Sequence, residues 1–141
     1  MPASFQLDVV APDRTIFSGE VASLVAPGTE GYLGVLADHA PLLTGLAVGA
    51  ARATTPDGRD IYFAVAGGFL EVADNHATLL ADAAERADQI DVARAEVARK
   101  RAAEACAAAA RGEPKFVAAE AALQRALNRL QVAREHGQAS Y

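Results

Sequence analysis

The chain has a single cysteine, Cys106, so it can form neither an internal disulfide nor a cysteine metal cluster. Cys106 lies in an alanine run, where a small buried hydrophobe is the default role. Histidine-rich metal spacing is absent, as is a glycine-rich phosphate loop closed by Lys-Ser/Thr. The few serines show no nucleophile–base arrangement. An enzyme is therefore the weakest reading. No stretch reaches the roughly eighteen apolar residues of a membrane span. The N-terminus shows neither the basic flank nor the apolar run of a signal peptide. The expectation is a soluble protein that meets a membrane only through a partner. A net charge of −5 argues against nucleic acid as a general partner.

What is present divides the 141 residues into unlike halves. Residues 1–87 hold four basic and eleven acidic side chains, whereas residues 88–141 hold nine basic and seven acidic. The first part reads as short strands. Phe5 to Val9 alternates apolar and polar, the period of a half-buried strand. Further strands are expected at Thr15–Phe17, Glu20–Ala26, Ala47–Thr55, Ile61–Ala66, Phe69–Val72 and Ala77–Ala81. Gly28 to Leu36 is a glycine-punctuated segment. Pro56-Asp57-Gly58 marks a hairpin turn, and Gly67-Gly68 a bulge or close backbone approach. This spacing predicts a sandwich or barrel.

From about Asp88 to His136 the composition turns to Ala, Glu, Arg, Gln and Leu, the strong helix formers. Gly112-Glu113-Pro114 is the one break, so two helices in a hairpin are expected. The hairpin holds sixteen alanines but only nine larger aliphatic or Phe residues, which predicts thin packing and a segment able to open. Arg94 and Arg101 lie two turns apart, and Arg125 and Arg129 one turn apart. If the helices fold back, both pairs converge. They then form either a solvated basic face with local partners or a site for an anion such as phosphate. Asp88 and Asp91 can each cap the first helix.

The order of motifs resembles the epsilon subunit of rotary F-type ATP synthases. Gly31, Leu33, Gly34, His39, Pro41 and Leu42 carry that resemblance, as do Gly67, Gly68, Glu71 and Val72. It spans essentially the whole chain. It implies an α+β architecture: an N-terminal antiparallel β-sandwich over residues 1–86, then a C-terminal two-helix antiparallel hairpin over residues 87–141. It further implies a non-catalytic rotor subunit on the cytoplasmic face of a bacterial inner membrane, peripheral to it. The sandwich would dock on the γ subunit and the c-subunit ring. The loop from Glu30 to Leu42 would face the ring, with Glu30, Gly31, Tyr32, His39, Pro41 and Leu42 at the interface. Many bacterial relatives keep an acid where Tyr32 stands. His39 is read either as a ring contact or as a turn residue satisfied by backbone.

Some bacterial members of this family bind ATP in the folded hairpin, and their motif stands here as Ile90-Asp91-Val92-Ala93-Arg94-Ala95. The resemblance implies an ATP site of Glu85, Ile90, Asp91, Arg94, Ala95, Arg101, Arg125 and Arg129. ATP would be a regulatory ligand and not an obligatory cofactor. Magnesium is not obviously required, because the arginines supply positive charge and no carboxylate pair is spaced for a metal. Without ATP the hairpin would extend toward the α and β catalytic-head subunits and block hydrolysis. Two alternatives remain: a purely structural hairpin on the same rotor subunit, and a free-standing binding module with a helical dimerisation arm.

Overall fold

The computed structural model describes residues 3–138. Seven strands precede two helices: β1 (Phe5–Ala11), β2 (Arg14–Val21), β3 (Ser23–Gly28), β4 (Gly31–Leu36), β5 (Leu42–Thr54), β6 (Asp60–Ala73) and β7 (His76–Arg86), then a 3-10 turn (Ala87–Gln89), α1 (Val92–Ala108) and α2 (Pro114–His136). The strands form one hydrogen-bonded sheet in the order β2-β1-β7-β6-β5-β3-β4. Every ladder is antiparallel except β1 with β7.

This sheet folds over into two layers because β5, β6 and β7 are long and bend. Residues 42–46, 68–73 and 76–81 of these strands pair with one another, and β1 and β2 extend that layer. Residues 48–54, 60–66 and 83–86 make the second layer with β3 and β4. The bend is the Gly67-Gly68 bulge. Both glycines have positive φ, and a Cβ on Gly68 would lie 2.0 Å from the Leu80 carbonyl oxygen. Strands expected separately at 61–66 and 69–72 are thus one strand, because the bulge turns the chain without ending its pairing. The expected strand from Glu20 to Ala26 is instead divided between β2 and β3. Asp74 and Asn75, both at positive φ, make the two-residue turn into β7.

Strand alternation sends Leu7, Val9, Leu24, Val35, Phe63, Val65, Leu70 and Leu79 between the layers, all at 0–1% exposure. Beside β1, Asp8 accepts hydrogen bonds from the Ser18 hydroxyl (2.5 Å) and His76 Nε2 (2.6 Å). Ser18 first, then His76 and Gln6, outweigh partial burial and hold its carboxyl below the ordinary range.

The first helix starts later than the composition suggests. Asp88 does not cap it. That carboxylate faces the Arg86 guanidinium at 3.1 Å through both oxygens. Asp91 is the cap, its Oδ1 accepting from the Arg94 backbone N–H at 3.0 Å. Pro114 opens α2, where its missing N–H costs nothing. The buried residues of α1 are Ala95 and Ala102; those of α2 are Ala119, Ala126, Leu130 and Val132. Val92, Val97, Val117 and Leu127 stay exposed. Alanine buries little apolar area, so the two helices hold each other weakly, in keeping with the composition.

Candidate functional site

The hairpin lies on the outer face of the second layer, with α2 against β5 and β6. Two adjoining clefts open there. One, of about 410 Å³, is lined by Asp91, Arg94, Val97, Arg101 and Arg129 together with alanines of α1. The other, of about 280 Å³, is lined by Glu85, Arg125, Asn128, Arg129, Val65 and alanines of β6, β7 and both helices. Arg129 and Ala98 belong to both. All four arginines of the sequence pattern, with Glu85 and Asp91, therefore border one continuous region.

Local geometry explains each position. Glu85 pairs with Ala64 across the β6–β7 ladder, so both point outward under the hairpin. Asp91 spends one oxygen on the helix cap. Arg129 is already engaged: its Nε donates to Glu85 Oε1 at 2.5 Å and its Nη2 to Oε2 at 3.5 Å. Arg94, Arg101 and Arg125 are exposed, and among the described residues none forms a salt bridge. Four guanidinium groups against two carboxylates leave a net positive region suited to a polyanion. The other two expected site residues line neither cleft. Ile90 packs with Ala64, Ala87 and Val132, and Ala95 is fully buried. Their side chains set the helix position.

Sequence reasoning passed over the groups that dock the hairpin. Asn128 Nδ2 donates to the Gly49 carbonyl at 3.0 Å and the Val65 carbonyl at 3.3 Å. These are register partners in β5 and β6, close to the bend. His136 stacks on Tyr62, with ring centroids 3.6 Å apart and planes 1° apart. Asn128, Val132 and His136 recur every four residues, one face of α2, and that spacing was the available signal.

The segment from Glu30 to Leu42 is not the single loop expected. Glu30 lies in the tight turn closed by the Gly28–Gly31 pair, and Gly31 and Tyr32 open β4. His39 and Pro41 lie in the connection after β4, and Leu42 opens β5. The remaining four residues of β4, Leu33 to Leu36, about 13 Å of extended chain, stand between the two groups. The loop that the resemblance implied is interrupted because Gly31–Leu36 pairs regularly with β3. Tyr32 leans over Pro27 toward β5. A Cβ on Gly49 would lie 2.9 Å from its hydroxyl, which takes a 3.4 Å hydrogen bond from the Ala50 N–H. His39 Nδ1 is 2.7 Å from the Ala40 carbonyl oxygen, and the His39 N–H donates to Leu36 O. This is the backbone-satisfied turn geometry, and among the described residues Nε2 meets no partner.

A family model described as the ATP synthase Delta/Epsilon chain beta-sandwich domain matches residues 4–87. A second, described as the Delta/Epsilon chain long alpha-helix domain, matches residues 88–134. The ATP synthase epsilon chain of Pelotomaculum thermopropionicum is 57% identical over 99 residues, covering 70% of this chain and 73% of that one. That of Desulforamulus reducens is 44% identical over 133 residues, covering 94% and 99%. Among solved structures, a chain of the Euglena gracilis mitochondrial ATP synthase (OSCP/F1/c-ring, rotational state 1) superposes with a TM-score of 0.76 at 25% identity, covering 96% of this chain and 84% of that one. A chain of the Tetrahymena thermophila mitochondrial ATP synthase central stalk and c-ring shares the fold, with a TM-score of 0.50 at 14% identity, covering 94% and 96%.

Proposed function

Since the chain belongs to the epsilon-chain family of ATP synthases, a subunit of that complex without an active site of its own, we propose that it is a rotor subunit whose hairpin senses ATP. In this reading the sandwich docks on γ and touches the c ring, on the cytoplasmic face of a bacterial membrane. The hairpin stays folded when ATP fills the two clefts. Emptied, it extends along γ toward the α and β subunits and blocks hydrolysis.

The carrying observation is that cleft walls come from three separate elements: β7 (Glu85), α1 (Arg94, Arg101) and α2 (Arg125, Arg129). A ligand held by all three binds only the folded form, so it shifts the equilibrium by its full differential affinity. The triphosphate fits the cleft of Arg94, Arg101 and Arg129, where guanidinium forks donate in pairs to phosphate oxygens. These charges let the site work without magnesium. A second reading, the purely structural hairpin, is favoured by the Glu85–Arg129 pair, which closes the fold without any ligand. Calorimetric titration of the whole chain with ATP separates them. One saturable site is expected; no heat up to millimolar ATP would leave the structural hairpin standing.

The γ contact has its own support. Val10, Leu80 and Phe69 are successive partners across β1, β7 and β6, with Leu43 beside them on β5. Phe69 is 57% exposed and Leu43 68%. This apolar row lies on the face away from the hairpin, so the sandwich can stay docked while the hairpin moves. Phe69→Asp should weaken co-purification with γ by about tenfold or more, with circular dichroism unchanged. Undiminished binding would move the interface elsewhere.

A further inference from the structure

We propose that Asn128 selects the base in the smaller cleft: its Oδ1 accepts a hydrogen bond from a 6-amino purine and discriminates against a 6-oxo purine. The inference rests on the nucleotide reading above and adds a residue that chooses among nucleotides.

The orientation of the amide is fixed by chemistry. Gly49 O and Val65 O are both acceptors, so only the NH₂ end of Asn128 can face them. Oδ1 must point the other way. Among the described residues it takes part in no hydrogen bond, yet no buried side-chain polar atom lacks a partner. Oδ1 is therefore reachable from outside, and Asn128 lines the 280 Å³ cleft.

Asn128 Oδ1 is the one uncharged side-chain acceptor in the lining of that cleft. Arg125 and Arg129 only donate. Both Glu85 oxygens face Arg129. Much of the remaining wall is alanine, low enough to admit a flat ring. A base entering this slot meets one unpartnered side-chain acceptor, clamped by two bonds to the sheet. Adenine presents an exocyclic amino group to it, and the bond forms. Guanine and hypoxanthine present a carbonyl oxygen, which leaves two acceptors facing each other. Arg129, the next residue, reaches into the neighbouring phosphate cleft, so the same stretch of α2 touches both ends of a nucleotide.

The test is calorimetric titration of the full chain with ATP and with inosine triphosphate, which carries a 6-oxo group in place of the 6-amino group. The wild type should prefer ATP by about tenfold, the value of one neutral hydrogen bond. Asn128→Ala should bring the ratio near one. Asn128→Asp, which keeps an acceptor oxygen but loses the clamp, should weaken both ligands and retain the preference. The ratio is the decisive quantity. Loosening of the hairpin lowers both apparent affinities by the same fraction and cancels from it. An unchanged ratio in Asn128→Ala, or no preference in the wild type, overturns the assignment while leaving the nucleotide site intact. No binding of either triphosphate to the wild type overturns the nucleotide reading and this inference with it.

Discussion

Replacing Arg94 with alanine is expected to weaken ATP binding by about 10- to 100-fold, the value of a charge-assisted hydrogen bond of about 1.5–3 kcal/mol. The expectation is clean because the substitution leaves the fold alone. Asp91 caps α1 through the Arg94 backbone N–H, which alanine retains. The Arg94 side chain is exposed, and alanine is the better helix former. Helicity and melting temperature should hold or rise while affinity falls. Arg129→Ala should behave differently. It strips Glu85 of its partner and loosens α2 as well as removing a donor, so its loss of affinity should come with a lower melting temperature. Equal, full-strength ATP binding by Arg94→Ala and the wild type would return Arg94 to the solvated basic face.

Removing everything after Asp88 should raise ATP hydrolysis by the assembled enzyme several-fold, most at low ATP, while leaving assembly intact. The sandwich core and the small cluster of Ala64, Ala87, Ile90 and Val132 under the hairpin are separate. Truncation uncovers mainly Ala50, Tyr62, Ala64 and Ala87, too little apolar surface to unfold two packed layers. Residues 1–88 should therefore melt cooperatively and still bind γ. Hydrolysis rates identical to the intact enzyme at every ATP concentration would remove the inhibitory role and keep the docking one.

Much of this was legible in the sequence, for physical reasons that differ from place to place. The alternation of Phe5 to Val9 shows directly in its buried-intermediate pattern, because a strand with one face on a core has period two. The hairpin was legible because Ala-rich composition and one Gly-x-Pro break dominate local energetics. The arginine spacing was legible because helical periodicity fixes which residues share a face, and all four do border the clefts. Three features were hidden. The glycine-punctuated stretch Gly31–Leu36, part of the ring-facing loop that the resemblance implied, is a paired strand, since pairing with β3 outweighs local propensity. Three acids, Glu85, Asp88 and Asp91, crowd the helix start, and only the fold decides which caps and which pairs with arginine. The Asn128 clamp joins partners 79 and 63 residues apart beside a bend that no local pattern announces. Spacing thus made the shared faces of the arginines readable, Glu85 entered only through the family resemblance, and the groups that orient the hairpin were not readable.

The central claim is that ATP holds the hairpin folded, and a distance measurement in the assembled enzyme tests it most directly. Spin labels at Glu20→Cys on the sandwich and Lys115→Cys near the hairpin tip, with the lone native Cys106 replaced by serine, report the separation by pulsed electron resonance. Both sites are exposed, and the tip moves farthest on opening. Saturating ATP should give a single short distance matching the folded form, and removing ATP should grow a longer population. A distribution identical with and without ATP would contradict the account.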